Sequence, residues 1–147
     1  MIRLLNPEKE SLAVLFKGFE DDSKFVRIDV DYADQTYRDL ISTGAGQIFL
    51  MFDVEMDSFI GGLGCLKAPD LHNGEMIAVE TFWYVVPEYR DSAHGIELLF
   101  AFEKWAKDNN CTKMAMIHLA DSSPERLKKL YERLGYKLLE SHYIKEV

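Results

Sequence analysis

The run at residues 76–86 constrains the fold most, because it is the longest β-prone stretch of the chain and it ends on a proline. It is rich in Val, Thr, Phe, Trp and Tyr, the residues that suit a pleated, half-buried surface. Pro87 cannot donate to a strand ladder, so Pro87-Glu88-Tyr89-Arg90 reads as a turn. From residue 93 to 107 the apolar period becomes helical: Leu98, Phe102 and Trp105 share one face, and Leu99, Phe102 and Ala106 overlap it. Strand, tight turn and helix therefore follow one another directly. Such a unit points backbone N–H groups and a helix N-terminus at one spot, where a phosphate or pyrophosphate is readily held. Gly95 would let a ligand approach the backbone closely.

The rest of the chain supplies further strands and helices. Ile2-Arg3-Leu4-Leu5 reads as a short strand, and Asn6-Pro7-Glu8 as a helix start, with Asn at the N-cap and Pro at N1. Leu12, Leu15, Phe16 and Phe19 continue that helix to about residue 20. A polar loop spans residues 20–31, and a second helix spans 32–42. Residues 47–52 form a continuous apolar run too short for a helix, and residues 59–67 read as a strand containing Gly61, Gly62 and Gly64. Two antiparallel meanders are expected before residue 87. Residues 113–119 read as another strand. Ser123-Pro124-Glu125 starts a helix carrying Leu127, Leu130, Tyr131 and Leu134, with Gly135 at its C′ position. Residues 136–147 read as a final extended segment. The order β-α-α-β-β-β-α-β-α-β predicts one α/β domain over residues 1–147 with a mixed sheet.

With 147 residues, the chain has the length of a single domain. Apolar residues make up 48% and charged residues 29%, which excludes disordered and low-complexity classes. No apolar run approaches the ~20 residues of a membrane helix, and the N-terminus lacks a signal-peptide pattern. Cys65 and Cys111 form neither a disulfide framework nor a metal pattern, so a reduced, cytoplasmic setting is expected. The formal net charge is −8, with 12 of the 25 acids in residues 1–60. Phosphate backbones are bound by clustered cations, so this charge argues against a nucleic-acid partner. Glu20, Asp21, Asp22, Asp29, Asp31, Asp34 and Asp39 read either as a solvated face or as an acidic rim that attracts a cationic amine.

The segment Trp83-Tyr84-Val85-Val86-Pro87-Glu88-Tyr89-Arg90, then Gly95, then Leu130-Tyr131-Glu132-Arg133-Leu134-Gly135-Tyr136, resembles the GNAT superfamily of acyl-CoA N-acyltransferases. Phe82 to Arg90 followed by Glu103-Lys104-Trp105-Ala106 is most similar to a phage and prophage subgroup. The resemblance is close over residues ~76–147 and rests on element order alone over residues 1–75. It implies a GNAT-like fold and acetyl-CoA as acyl donor. It also implies that the backbone of Trp83, Tyr84 and Val85 pairs with the pantetheine arm. The loop Arg90, Asp91, Ser92, Ala93, His94, Gly95 and Ile96 would cradle the pyrophosphate. The family's usual middle Gly is Ala93 here, and the subgroup's paired glycines are Asp91 and Ser92. Ser92 supplies either a hydroxyl donor or a helix N-cap. The Asn that often precedes the last helix in the family is replaced by Pro124.

The resemblance also implies catalytic roles. Tyr131 matches a tyrosine near the CoA sulfur, where a hydroxyl of pKa ~10 can protonate a leaving thiolate of pKa ~8.5. A plainer reading has Tyr131 completing the apolar stripe of its helix. Many relatives place an acid where Glu80 stands, and there it would take the proton of the attacking amine. Strict alternation puts Glu80 on the side of Phe82 and Tyr84; otherwise it is an edge or surface acid. A backbone N–H near Val85 would meet the oxyanion. His94 sits in the phosphate loop, His118 and His142 read as strand residues, and His72 lies in a turn. Arg126, Lys128, Lys129 and Arg133 read as a solvated face or as contacts to the CoA 3′-phosphate. No metal site is expected. The function expected is transfer of an acetyl group to an amine, by a monomer or homodimer. The alternatives are a GNAT-fold binding or assembly module that has lost catalysis and, against the charge, a nucleic-acid base modifier.

Overall fold

The computed structural model describes residues 1–6, 10–24, 26–121 and 123–147. The elements are β1 (Ile2–Leu4), α1 (Ala13–Asp21), α2 (Val30–Ser42), β2 (Gly46–Asp53), β3 (Ser58–Pro69), β4 (Met76–Val85), a 3₁₀ turn (Pro87–Tyr89), α3 (His94–Asp108), β5 (Lys113–Ala115) and α4 (Pro124–Arg133). The chain separates into two compact units, Met1–Ile117 and His118–Val147.

In the first unit the five strands lie in the order β1-β2-β3-β4-β5. The first four are antiparallel neighbours, and β4 pairs with β5 in parallel. This is the mixed α/β sheet that the sequence predicts. The apolar run of β2 is continuous because both faces of the sheet are covered. Phe49 and Met51 pack with Leu63, Val85 and the α3 residues Leu98, Phe102 and Ala106. Ile48 and Leu50 pack on the opposite face with Leu12, Leu15, Phe16 and Phe82. The β3 glycines let these layers close. A Cβ on Gly62 would lie 2.9 Å from a Leu15 methyl, and one on Gly64 would run into the Phe82 ring.

One irregularity sets the geometry of β4. Gly64 faces Phe82 and Cys65 faces Glu80, so Thr81 is an extra residue, a β-bulge. The β5 ladder covers only Ile77, Ala78 and Val79. Beyond Val79 the two strands part.

Several boundaries differ from expectation. The first helix starts at Ala13, with Leu12 at its N-cap position. Residues 7–9 of the expected start lie outside the described residues. The Glu10 carboxylate accepts from the Asn6 backbone N–H at 2.7 Å and pairs with Arg3. The strand expected at 113–119 stops at Ala115, because the next inward-turned amide, that of Ile117, donates to a side chain. In the second unit, residues 136–147 form no strand, and Leu138, Leu139, Tyr143 and Ile144 are exposed. An extended segment becomes a strand only when a ladder satisfies its backbone groups. His118 and His142 accordingly lie outside any strand. Ser123 takes the N-cap position of α4 in a left-handed conformation (φ 48°) without a side-chain cap bond. Gly135 does close α4 as expected. At φ +90° it donates to the Glu132 carbonyl (3.1 Å), while Tyr136 N–H donates to the Tyr131 carbonyl (2.9 Å), a Schellman closure.

Candidate active site

Where β4 leaves β5, Glu80 fills the place of the missing ladder. Its carboxylate accepts a hydrogen bond from the Ile117 backbone N–H at 2.9 Å, and the residue is only 5% exposed. Burial penalises the charged form and pushes its pKa up to about 7, while the Ile117 N–H pulls the other way. A carboxyl poised near neutrality is the electrostatic requirement for a general base. The bulge at Thr81 breaks the alternation that placed Glu80 beside Phe82 and Tyr84. Phe82 and Tyr84 pack on the α1 side, and Trp83 and Val85 pack on the α3 side. Glu80 lies at the edge between the strands.

The wall on the α1 side is aromatic. Phe82 meets Phe16 and Tyr37 edge-on at 5.4 and 5.6 Å. The Tyr37 hydroxyl bonds the Thr81 hydroxyl at the bulge. Burial raises Tyr37 to about 12, with Glu80 adding to the shift, so it is a neutral hydrogen-bonding group there. Tyr84 lies under α1: a Cβ on Gly18 would come within 2.6 Å of its ring and hydroxyl. Burial, then the charge of Asp22, raises its pKa.

The turn that follows carries the remaining expected donor-site residues. The Arg90 and Ser92 amides close the turn by donating to Pro87 and Tyr89 carbonyls, at 3.2 and 3.3 Å. Ser92 is not the helix N-cap, a position held by Ala93. Its hydroxyl donates to the Tyr89 carbonyl (2.5 Å) and accepts from the His94 N–H (3.3 Å). Asp91 is exposed. The His94 ring rests on Tyr89, centroids 5.8 Å apart, and its Nδ1 has no hydrogen-bond partner among the described residues. Gly95 serves packing: a Cβ there would sit 3.2 Å from the Trp83 indole, so its small size lets α3 close on β4. The amides of Gly95 and Ile96 belong to the first turn of α3, where a helix has no carbonyl partners of its own.

The Arg90 side chain is engaged within the chain. Its Nε donates to the Val85 carbonyl at 2.7 Å, its Nη2 pairs with Asp22, and its guanidinium lies 5.5 Å from the Tyr84 ring centre. Nothing in the spacing of Asp22 and Arg90 announces this contact. Other acids of the expected rim are also engaged. Glu20 accepts from the Ile28 amide, Asp29 caps α2 through the Tyr32 amide, and Asp34 pairs with Arg38. Asp21 and Asp31 are exposed.

In the second unit, Tyr131 is the buried residue of α4. Its ring lies 5.7 Å from that of Tyr136 and 6.4 Å from that of His118. Among the described residues no three His, Cys, Asp or Glu side chains gather to hold a metal. No helix of the described residues is long and apolar enough to cross a membrane.

The acetyltransferase (GNAT) family model matches residues 12–136, and the chain belongs to that family. Among curated proteins none matches the sequence. Solved structures share the fold. Ribosomal-protein-alanine N-acetyltransferase from Brucella melitensis is 19% identical, with TM-score 0.74 over 100% of this chain and 99% of its own. Glucosamine-6-phosphate N-acetyltransferase from Arabidopsis thaliana is 14% identical, with TM-score 0.76 over 99% and 97%. AAC(6')-Iy, bound to the bisubstrate analog CoA-S-monomethyl-acetylneamine, is 16% identical, with TM-score 0.75 over 100% and 97%.

Proposed function

We propose that this protein is an acetyl-CoA-dependent N-acetyltransferase that acetylates a primary amine, residues 1–147 being a single GNAT-like domain. The observation that carries the reading is Glu80, buried where β4 and β5 part and raised to about 7, on the strand that runs straight into the turn and α3. The residues present fit a thin acyl donor. The parted strand carries Trp83, Tyr84 and Val85 past the end of the β5 ladder, and the first-turn amides of α3 follow at Gly95 and Ile96. Those amides and the turn around Asp91, Ser92, Ala93 and His94 would face the pyrophosphate. Arg90 shapes this turn through its side chain and stands at the start of the loop that would cradle the pyrophosphate.

The reaction divides among these groups. The amine nitrogen attacks the thioester carbonyl carbon, a C–N bond forms and the C–S bond breaks. Glu80 takes the proton that the nitrogen loses, and Tyr131 supplies one to the departing sulfur. The names of the similar structures mention a ribosomal-protein alanine, glucosamine-6-phosphate and an acetylneamine bisubstrate analog. An amine acceptor is common to them. The exposed acids Asp21 and Asp31 favour a cationic one. The phage-type subgroup and a cytoplasmic setting belong to this reading.

A second reading, a GNAT-fold binding or assembly module that has lost catalysis and either binds no acetyl-CoA or binds it without turnover, is favoured by the engagement of Arg90 with Asp22 and Val85. Calorimetric titration with acetyl-CoA, with CoA and AMP as controls, separates the two. Micromolar binding followed by turnover in an amine screen supports the enzyme. Absence of binding at millimolar acetyl-CoA overturns it.

A further inference from the structure

The turn between β4 and α3 is gripped from two sides through consecutive residues. Tyr89 donates its hydroxyl to Asp53 Oδ2 at 3.1 Å, which ties the turn to the end of β2. Arg90 reaches the other way, to Asp22 at the C-cap of α1. The two anchors are far apart in sequence and belong to different elements on either side of the turn.

Each bond lies within a larger set of contacts, although the Arg90–Asp22 pair is solvent-exposed. Asp53 also accepts the Glu55 and Met56 amides at 2.9 and 3.2 Å, so its carboxylate is fixed by its own turn before Tyr89 reaches it. Arg90 is fixed by three contacts at once: the Val85 carbonyl, the Asp22 carboxylate and the Tyr84 ring. Arginine suits this position because its planar fork bonds in two directions while its face stacks on an aromatic ring, which a lysine cannot do together. The Val85 carbonyl is thereby closed by a side chain five residues later. The Val86 amide completes the hold by donating to the Ile60 carbonyl at 2.9 Å.

We infer that Asp22 and Asp53 are positioning residues for the acyl-donor turn, acting through Arg90 and Tyr89 without touching the donor. This rests on the reading of the turn as the donor's pyrophosphate site. The turn carries Asp91, Ser92 and Ala93, so its shape does not come from glycine conformations. Every residue from 89 to 93 has φ below zero; the turn folds on its own backbone bonds, and the two carboxylates hold it in place from outside. The Asp22 strap has a second consequence. It joins the donor turn to the loop that follows α1, so ordering one orders the other.

Amide exchange read by mass spectrometry on the full chain tests the straps with no ligand present. D22N and R90K should each raise exchange across residues 86–93 about two- to fivefold, and R90K should also raise it across residues 19–24. D53N and Y89F should raise it across 86–93 alone. Acetyl-CoA affinity should fall about two- to fivefold in each single variant, and D22E should restore it, while the melting temperature stays within about 2 °C of the parent. Unchanged exchange at 86–93 in both D22N and R90K overturns the inference. A parent protein that shows the exchange coupling but binds no acetyl-CoA overturns the donor-site reading and leaves the straps standing as structure alone.

Discussion

Replacing Glu80 with glutamine separates the charge of this side chain from its shape. Glutamine keeps an acceptor oxygen for the Ile117 amide, which Glu80 now receives at 2.9 Å, and cannot ionise. The native carboxyl is raised from an ordinary 4.5 to about 7. A raised acid binds its proton more tightly in the folded than in the unfolded chain. Its contribution to stability is therefore fully present below pH 4.5, declines between 4.5 and 7, and is gone above 7. The shift of about 2.5 pKa units corresponds to about 3 kcal/mol, of which about 2–3 falls between pH 5 and 8. The stability difference between the parent and E80Q should therefore change by about 2–3 kcal/mol over that range, in favour of E80Q as pH rises. Urea titrations of both proteins at pH 5, 6, 7 and 8 read this difference directly. The pH dependence matters rather than the offset, because the new amide N–H₂ carries its own constant burial cost. In the reaction, the same carboxyl accepts a proton only when ionised, so kcat/KM should show an acid limb near pH 7 that E80Q abolishes together with most of the rate. Parallel stability curves for parent and E80Q between pH 5 and 8 would refute the argument from burial.

Two further substitutions test the second unit. Y131F keeps the ring beside Tyr136 and His118 and removes the proposed proton donor, so kcat should fall about 100-fold, measured by steady-state kinetics. G135A forces a Cβ onto a φ of +90° and should lower stability by about 1 kcal/mol, read by denaturant titration, with faster amide exchange at Tyr136.

The residues that made the fold legible are those whose burial follows a local period. Leu98, Leu99, Phe102 and Ala106 share the buried side of α3, as their spacing requires. The β2 run is apolar on both faces because α1 and α3 cover both. Glu80 was legible as an acid on the strand before the turn, but not its orientation. Alternation assumes a regular ladder, and the bulge at Thr81 depends on the cross-strand neighbours Gly64 and Cys65. Arg90 was legible as part of the turn and not as a partner of Asp22, since an ion pair across 68 positions has no local pattern. The absent strand at 136–147 has the same origin. Apolar, extended residues specify a strand only through a partner ladder, and none forms there among the described residues.

The bulge and the early end of β5 also explain why a buried acid stands where the sheet opens. A regular parallel ladder past Val79 would direct the Ile117 amide to a β4 carbonyl. With the strands parted, that amide needs another acceptor, and Glu80 supplies it. Water is excluded from the same place, since Glu80 is 5% exposed, and exclusion of water is what raises the carboxyl toward neutrality. Parting the strands and tuning the acid are thus one structural event. An alanine at position 80 would leave the Ile117 amide without its acceptor as well as removing the titrating group, which is why the glutamine, and not the alanine, tests the chemistry apart from the fold.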